Sequence, residues 1–400
     1  MVSNERYPCE GKSKIKNIHL IIENTMFLNM KIKRGCTFAL LAAYLLCASA
    51  VAYAGAINFD NMKPGHWYEI PNTNLKDAFP DPAPPGNTGP RSVVQTWSGG
   101  AFDSKRERLI LWGGGHGDYS GNELYVFDIN ATDPKWQRLT EPSMDVGGDE
   151  SSGLYPDGLP RSRHTYNFVE YIPPADEFCS FGAGGTYPSS THSLDLMQCY
   201  NFKTNRWESG VRKNVPNGDR RGVVAYDPVS NNVWYHAAFS NGLYEYNPND
   251  DTWSSKYGQN QYLKYYLTAA VDTARHKMVA VGNGQFFVWD LDRPSAATIP
   301  ARSGDTGIES TYAPGFQYDS SIDKFVAWNG GADIHILDPA TWTWSRVSPA
   351  DTNTVIPPAM LKNGTYGRFR YIQSKNVFIL YNNHNQNVYF YKLSDAVNSK

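Results

Sequence analysis

Residues 161–207 read as one complete structural unit, and that unit constrains everything else about the chain. It opens with Arg163-His164-Thr165 and climbs through Phe168-Val169-Glu170-Tyr171-Ile172. A turn at Pro173-Pro174-Ala175-Asp176 leads to Phe178-Cys179-Ser180-Phe181 and then to the doublet Gly184-Gly185. A further strand falls within residues 193–202, and a turn at Lys203-Thr204-Asn205 precedes Arg206-Trp207. Four short strands separated by turn residues make one small sheet, which cannot bury both of its faces alone. Stacking such sheets radially buries them, and the result is a β-propeller.

Five more segments repeat the pattern. Residues 91–139 carry Leu109-Ile110-Leu111-Trp112, the run Gly113-Gly114-Gly115, and Leu124-Tyr125-Val126-Phe127-Asp128. Residues 220–253 carry Val223-Val224-Ala225-Tyr226, Val233-Trp234-Tyr235-His236 and Leu243-Tyr244-Glu245-Tyr246. A less regular unit follows with Val279-Ala280-Val281 and Phe287-Val288-Trp289. The next has Phe325-Val326-Ala327-Trp328 and Ile334-His335-Ile336-Leu337, and the last has Val377-Phe378-Ile379-Leu380 and Val388-Tyr389-Phe390-Tyr391. The last unit lacks a fourth strand, and His66-Trp67-Tyr68-Glu69-Ile70 is a strand without a hairpin partner. The sequence therefore predicts an all-β, kelch-like propeller of six blades, with seven left open by the irregular fourth unit. The strand at 66–70 closes the ring so that no sheet edge stays unpaired.

These repeats resemble kelch-type β-propellers, the fold of galactose oxidase among them, and the resemblance covers most of the chain. Many Gly, Pro, Tyr and Trp residues and no sustained helical periodicity agree with it. A propeller of this length is a single domain, here residues 55–400. The proline-rich stretch at 80–90 is expected to run extended between the closing strand and the first blade.

Residues 1–54 read as targeting sequence. Lys31, Lys33 and Arg34 precede an apolar run at 37–51 and the small-residue ending Ala52-Tyr53-Ala54, a secretory signal cleaved near Ala54. Met30 stands where such a signal begins, so residues 1–29 read as a spurious upstream extension. The expected location is secreted or periplasmic, without a stable membrane anchor. Export leaves two of the five cysteines, Cys179 and Cys199, on strands expected to be antiparallel neighbours, and an oxidising compartment makes a disulfide their expected state. Removing residues 1–54 leaves 30 basic against 36 acidic side chains, a net charge of −6. No broad basic footprint remains for nucleic acid, and the chain is expected to be a monomer.

Propeller geometry places candidate site residues without reference to their chemistry. With strands a to d numbered from the axis outward, the d–a and b–c connections emerge on one face. These connections carry His116, Asp118, Tyr119 and Asn122; Arg161, Arg163, His164, Tyr187 and His192; Arg220, Arg221 and nearby His236; Glu309 and Asn329; and Arg368 and His384. His66, His276 and His335 are expected elsewhere. Titratable side chains on the loops of a rigid scaffold are where chemistry concentrates. The set is similar to that of propeller-type polysaccharide lyases such as the ulvan lyases, which use histidine, tyrosine and arginine on one face. That resemblance implies catalytic roles for His116, His164, Arg221, Tyr166 and Tyr187, and substrate-binding roles for Arg163, Tyr119, Asn122, His192, Arg220, His236, Arg368 and His384. The substrate read from it is an acidic polysaccharide or oligosaccharide, cleaved by β-elimination with no cofactor and no metal. The alternative is a non-catalytic glycan- or protein-binding propeller. A copper radical oxidase ranks last: Tyr235-His236 resembles a neighbouring ligand pair of that family, but its cysteine-bonded tyrosine has no counterpart here.

Overall fold

The computed structural model describes residues 55–182, 184–188, 195–208, 215–216, 222–239, 241–260 and 262–395. Six antiparallel sheets stand round one axis. Their innermost strands are Gly100–Asp103, Val169–Ile172, Val223–Asp227, Thr268–Asp272, Gly315–Asp319 and Phe369–Ile372, and each packs on the next, the last on the first. The fourth blade has three strands, and a single antiparallel bridge from Thr298 to Val288 stands where a fourth would lie. The expected closing strand is in place. His66–Ile70 pairs antiparallel with Val388–Lys392, from His66 opposite Lys392 to Ile70 opposite Val388, so the last blade is completed from the other end of the domain. Elements that the sequence reading does not name include the inner strands Gly100–Asp103, Thr268–Asp272 and Gly315–Asp319, too short to show a pattern, and a ribbon pairing Arg163–His164 with Gly184–Thr186.

The alternation within each strand explains the core. In Arg108–Leu111, Leu109 and Leu111 join a cluster with Val377, Ile379 and Phe390 of blade 6, whereas Ile110 and the following Trp112 join one with Val169, Phe178 and Trp207 of blade 2. Both faces of a blade are interior, so its middle strands are apolar throughout rather than alternating. One such cluster fills each of the six blade–blade interfaces. Each fully buried large side chain in them contributes roughly 1.5–3 kcal/mol.

The a–b turns repeat a second device. Tyr171, Tyr226, Tyr318 and Tyr371 each donate a hydroxyl hydrogen bond to the residue five places on, namely Asp176, Asn231, Asp323 and Asn376. All four acceptors have left-handed backbones, which Asp and Asn tolerate best among side-chain-bearing residues. Arg106 then forks onto Asp176 of the next blade at 2.7 and 2.8 Å, and Arg275 onto Asp323 in the same way. Within blade 2, Cys179 and Cys199 lie directly opposite each other on neighbouring antiparallel strands and form a disulfide. Among the described residues no helix is long and apolar enough to cross a membrane.

Candidate functional site

The b–c connection of blade 1 docks edge-on against blade 2. Gly114 N–H donates to the Arg163 carbonyl, Gly115 N–H to Ser162 Oγ and His116 N–H to the Gly185 carbonyl, at 3.0, 2.8 and 3.0 Å. Only glycine permits this approach at 115: its φ is +43°, and a Cβ there would lie 2.2 Å from Arg163 Cα. The docking brings two histidines from different blades together. The rings of His116 and His164 stack with centroids 5.1 Å apart and planes 7° from parallel. His116 is partly exposed and has a left-handed backbone (φ 52°), whereas His164 is buried beneath it.

Asp118 backs the pair. Its Oδ2 lies 3.1 Å from His164 Nε2, and its Oδ1 accepts a 2.7 Å hydrogen bond from the Thr88 hydroxyl. The His164 hydrogen bond, helped by Thr88, holds the Asp118 carboxyl below the usual range against a burial penalty that raises it. An ionised carboxylate at one ring nitrogen stabilises an imidazolium on that ring. Thr88 comes from the proline-rich stretch, which runs alongside this loop: Asn87 and Thr88 donate to the Gly117 and Asp118 carbonyls, and Ser120 donates to that of Pro85.

Trp97 packs 5.1 Å from His164 on the other side, and Tyr166 meets it edge-on at 6.0 Å. Tyr166 is itself buried at the axis with Tyr366 and Ala313, flanked by Trp97 and Tyr266. These five residues precede the inner strands of blades 2, 6, 5, 1 and 4, and all have positive φ. Their backbones link round the axis, with Tyr166 N–H donating to the Trp97 carbonyl, Ala313 to Tyr266 and Tyr366 to Ala313. The signal was present in the sequence as an aromatic residue two or three places before most inner strands. Only Tyr166 among the five is singled out in the sequence, because each is an isolated residue in an irregular connection. Tyr187, partly exposed, follows the ribbon strand that carries Gly185. None of the residues in this axial cluster lines the central cavity, whose volume is about 590 Å³ and which lies toward the a–b turns. Inside it Arg370 of blade 6 reaches Glu170 of blade 2 at 3.2 Å.

Several residues read as substrate-binding are instead built into the fold. Tyr119 is fully buried and donates its hydroxyl to Glu123 at 2.6 Å, as Tyr125 also does; burial pushes the Glu123 carboxyl up. Asn122 is buried as a staple for the 141–160 insertion, donating to Ser143 Oγ and the Pro160 carbonyl. Arg163 is fully buried against Trp112, with its guanidinium on the carbonyls of Arg161 and Gly182 and on Gln198. Arg368 spends its guanidinium on the carbonyls of Ser98, Tyr381, Asn382 and Gly364. His236 is buried on Trp289, and desolvation pulls it down to about 4. Neighbouring backbone, or for Tyr119 a buried carboxylate, claims the polar group, and neither is visible in a local pattern.

His384 does lie in a connection on the expected face, but it stacks on Phe79 and contacts Gln95 rather than the histidine pair. His335, expected elsewhere, bridges Asp305 and Asn329, which belong to connections on this face. His192, Arg220 and Arg221 lie outside the described residues. The disulfide leaves no described cysteine to bond a copper-ligating tyrosine.

No family model and no curated protein matches the chain. Among solved structures it is similar to one titled "Structure of YjhT", at 14% sequence identity and a TM-score of 0.47, covering 76% of this chain and 95% of that one.

Proposed function

We propose that the chain is an exported, carbohydrate-active propeller whose His116 face cleaves a uronate-containing polysaccharide by β-elimination. One observation carries the reading: a partly exposed imidazole, His116, stacked on a buried imidazole that has a carboxylate behind it. The partly exposed ring is the one that can reach a substrate, and the buried ring with its carboxylate holds it from behind. In the reaction His116 takes the proton from the carbon next to the uronate carboxylate. The electron pair released forms the carbon–carbon double bond, the bond to the leaving glycosidic oxygen breaks, and that oxygen takes a proton from an acid, for which Tyr187 is the partly exposed candidate. Tyr166 and His164 lie behind this front and act by positioning. Arg221 keeps the role read from the sequence, neutralising the carboxylate so that the C–H becomes acidic.

The test is purified protein offered a panel of acidic polysaccharides, with the ultraviolet absorbance of an unsaturated uronate as readout. His116→Ala is expected to lower turnover by about 10²-fold or more with the fold intact. Arg221→Lys should not restore what Arg221→Ala removes, because a lysine cannot hold a carboxylate bidentately. Gly185→Ala probes positioning without touching a titratable group: its Cβ would fall 2.5 Å from His116 Cδ2 and displace the ring. Binding of an acidic glycan with no unsaturated product from any of them would leave a non-catalytic binder.

A further inference from the structure

The aromatic rings do not stop at the histidine pair. From Tyr166 the chain of contacts passes to Tyr266 at 6.3 Å, to Tyr265 at 6.0 Å, to Phe239 at 4.4 Å and to Tyr262 at 4.6 Å, with a branch from Tyr266 to Tyr312 at 5.1 Å. All these residues lie in d–a or b–c connections, on the face that carries His116. The inner members are partly or fully buried, but Tyr262 is 65% exposed and Tyr312 49%. They are the two aromatics among the exposed large hydrophobic residues described, and both stand at the outer ends of this line.

The line is held rigidly. Asn283 in the b–c turn of blade 4 and Gln285 at the start of the following strand donate to the carbonyls of Tyr265 and Tyr262 at 2.9 Å each. Phe239 N–H donates to the Leu263 carbonyl, and Ala313 N–H to that of Tyr266. Phe239 and Tyr266 have φ values of 52° and 68°. Left-handed backbones on bulky residues are costly, and they persist where the surroundings over-determine them. Exposed Lys264 sits in the same connection, between Tyr262 and Tyr265.

We propose that these rings form a binding track for a linear acidic glycan, with Tyr262 and Tyr312 as outer stacking platforms and Lys264 as a cation for a uronate carboxylate. The glycan class rests on the reading of the His116 face given above; the track rests on its own geometry. Pre-fixed aromatic faces stack on the apolar faces of sugar rings at little entropic cost. A sparse line of rings suits a chain ligand better than a protein partner, which would require a continuous patch.

The experiment measures retardation of the His116→Ala protein in native gels containing polygalacturonate, alginate, hyaluronan or a neutral β-glucan, so that binding is read without turnover. The expected result is retardation by at least one acidic polysaccharide, weakened about tenfold by Tyr262→Ala and again by Tyr312→Ala, as loss of an aromatic stacking contact implies. Tyr262→Phe and Tyr312→Phe should retain it, and thermal unfolding of all four variants should match that of the parent. Binding unaffected by loss of both rings overturns the track even if eliminase activity is present. Ring-dependent binding without eliminase activity sustains the track and removes the catalytic reading. Retardation by none of the acidic polysaccharides overturns the proposal.

Discussion

His236 offers a stability measurement whose size follows from the structure. The ring sits 5.5 Å from Trp289 in the interface of blades 3 and 4, with only 1% of the residue exposed. Its Nδ1 bonds the Ala237 carbonyl at 2.8 Å, and its Nε2 is buried without a hydrogen-bond partner among the described residues. A proton on Nε2 would bring a charge into this interface with nothing to receive it. Burial accordingly lowers the folded-state value to about 4, against 6.5 for an exposed histidine. The unfolded chain therefore binds a proton that the folded chain refuses, so stability falls with pH through the window between those values and is whole above it. From about pH 7 to about pH 5 the loss is about 2 kcal/mol, at 1.36 kcal/mol per unit of pH within the window. His276 works in the opposite direction: burial lowers it, but Asp227 and Asp292 raise it further, so its contribution is present at low pH and lost as pH rises. Urea unfolding of wild type and His236→Phe across the range separates the two, because the variant keeps every group except this one. The variant should lose the hydrogen bond to Ala237 at every pH but show about 2 kcal/mol less acid destabilisation. Equal acid destabilisation in the two proteins would refute the assignment of a buried neutral imidazole.

Arg368→Met should destabilise the domain by at least about 3 kcal/mol in denaturant, because it strips donors from four buried carbonyls between blades 6 and 1. A loss under about 1 kcal/mol would show that water replaces the guanidinium there. Peptides containing Cys179 and Cys199 should be found linked in a non-reduced digest, and replacing both with Ser should cost about 3 kcal/mol for a closed loop of this length. Recovery of two alkylatable thiols from native protein would contradict the bridge. Removing residues 55–71 should abolish cooperative unfolding, since it takes away the strand paired with Val388–Lys392 and exposes an edge in the last blade. A deletion that melts like the parent would count against closure by that strand.

Much of the architecture was legible in the linear pattern. Apolar runs at regular spacing gave six sheets, the partnerless strand at 66–70 gave the closure, and the positions of Cys179 and Cys199 gave their pairing. These are local or nearest-neighbour properties: a strand that must bury both faces is apolar wherever it occurs, and a free edge must find a partner. Chain topology also sorted the connections by face, which is why His116 and His164 were paired as candidates before their rings were seen to stack. The fate of individual polar side chains was decided elsewhere. Arg163, Arg368 and Asn122 look like ligand-binding groups in sequence, yet each is consumed by carbonyls from segments distant along the chain or from another blade. Conversely, Thr88 gained its place at the site, donating to Asp118, only when the proline-rich stretch folded against the blade 1 loop. A sequence shows which groups want partners. The partners themselves, backbone carbonyls above all, look alike at every residue and acquire identity only when the ring closes and brings particular ones within reach.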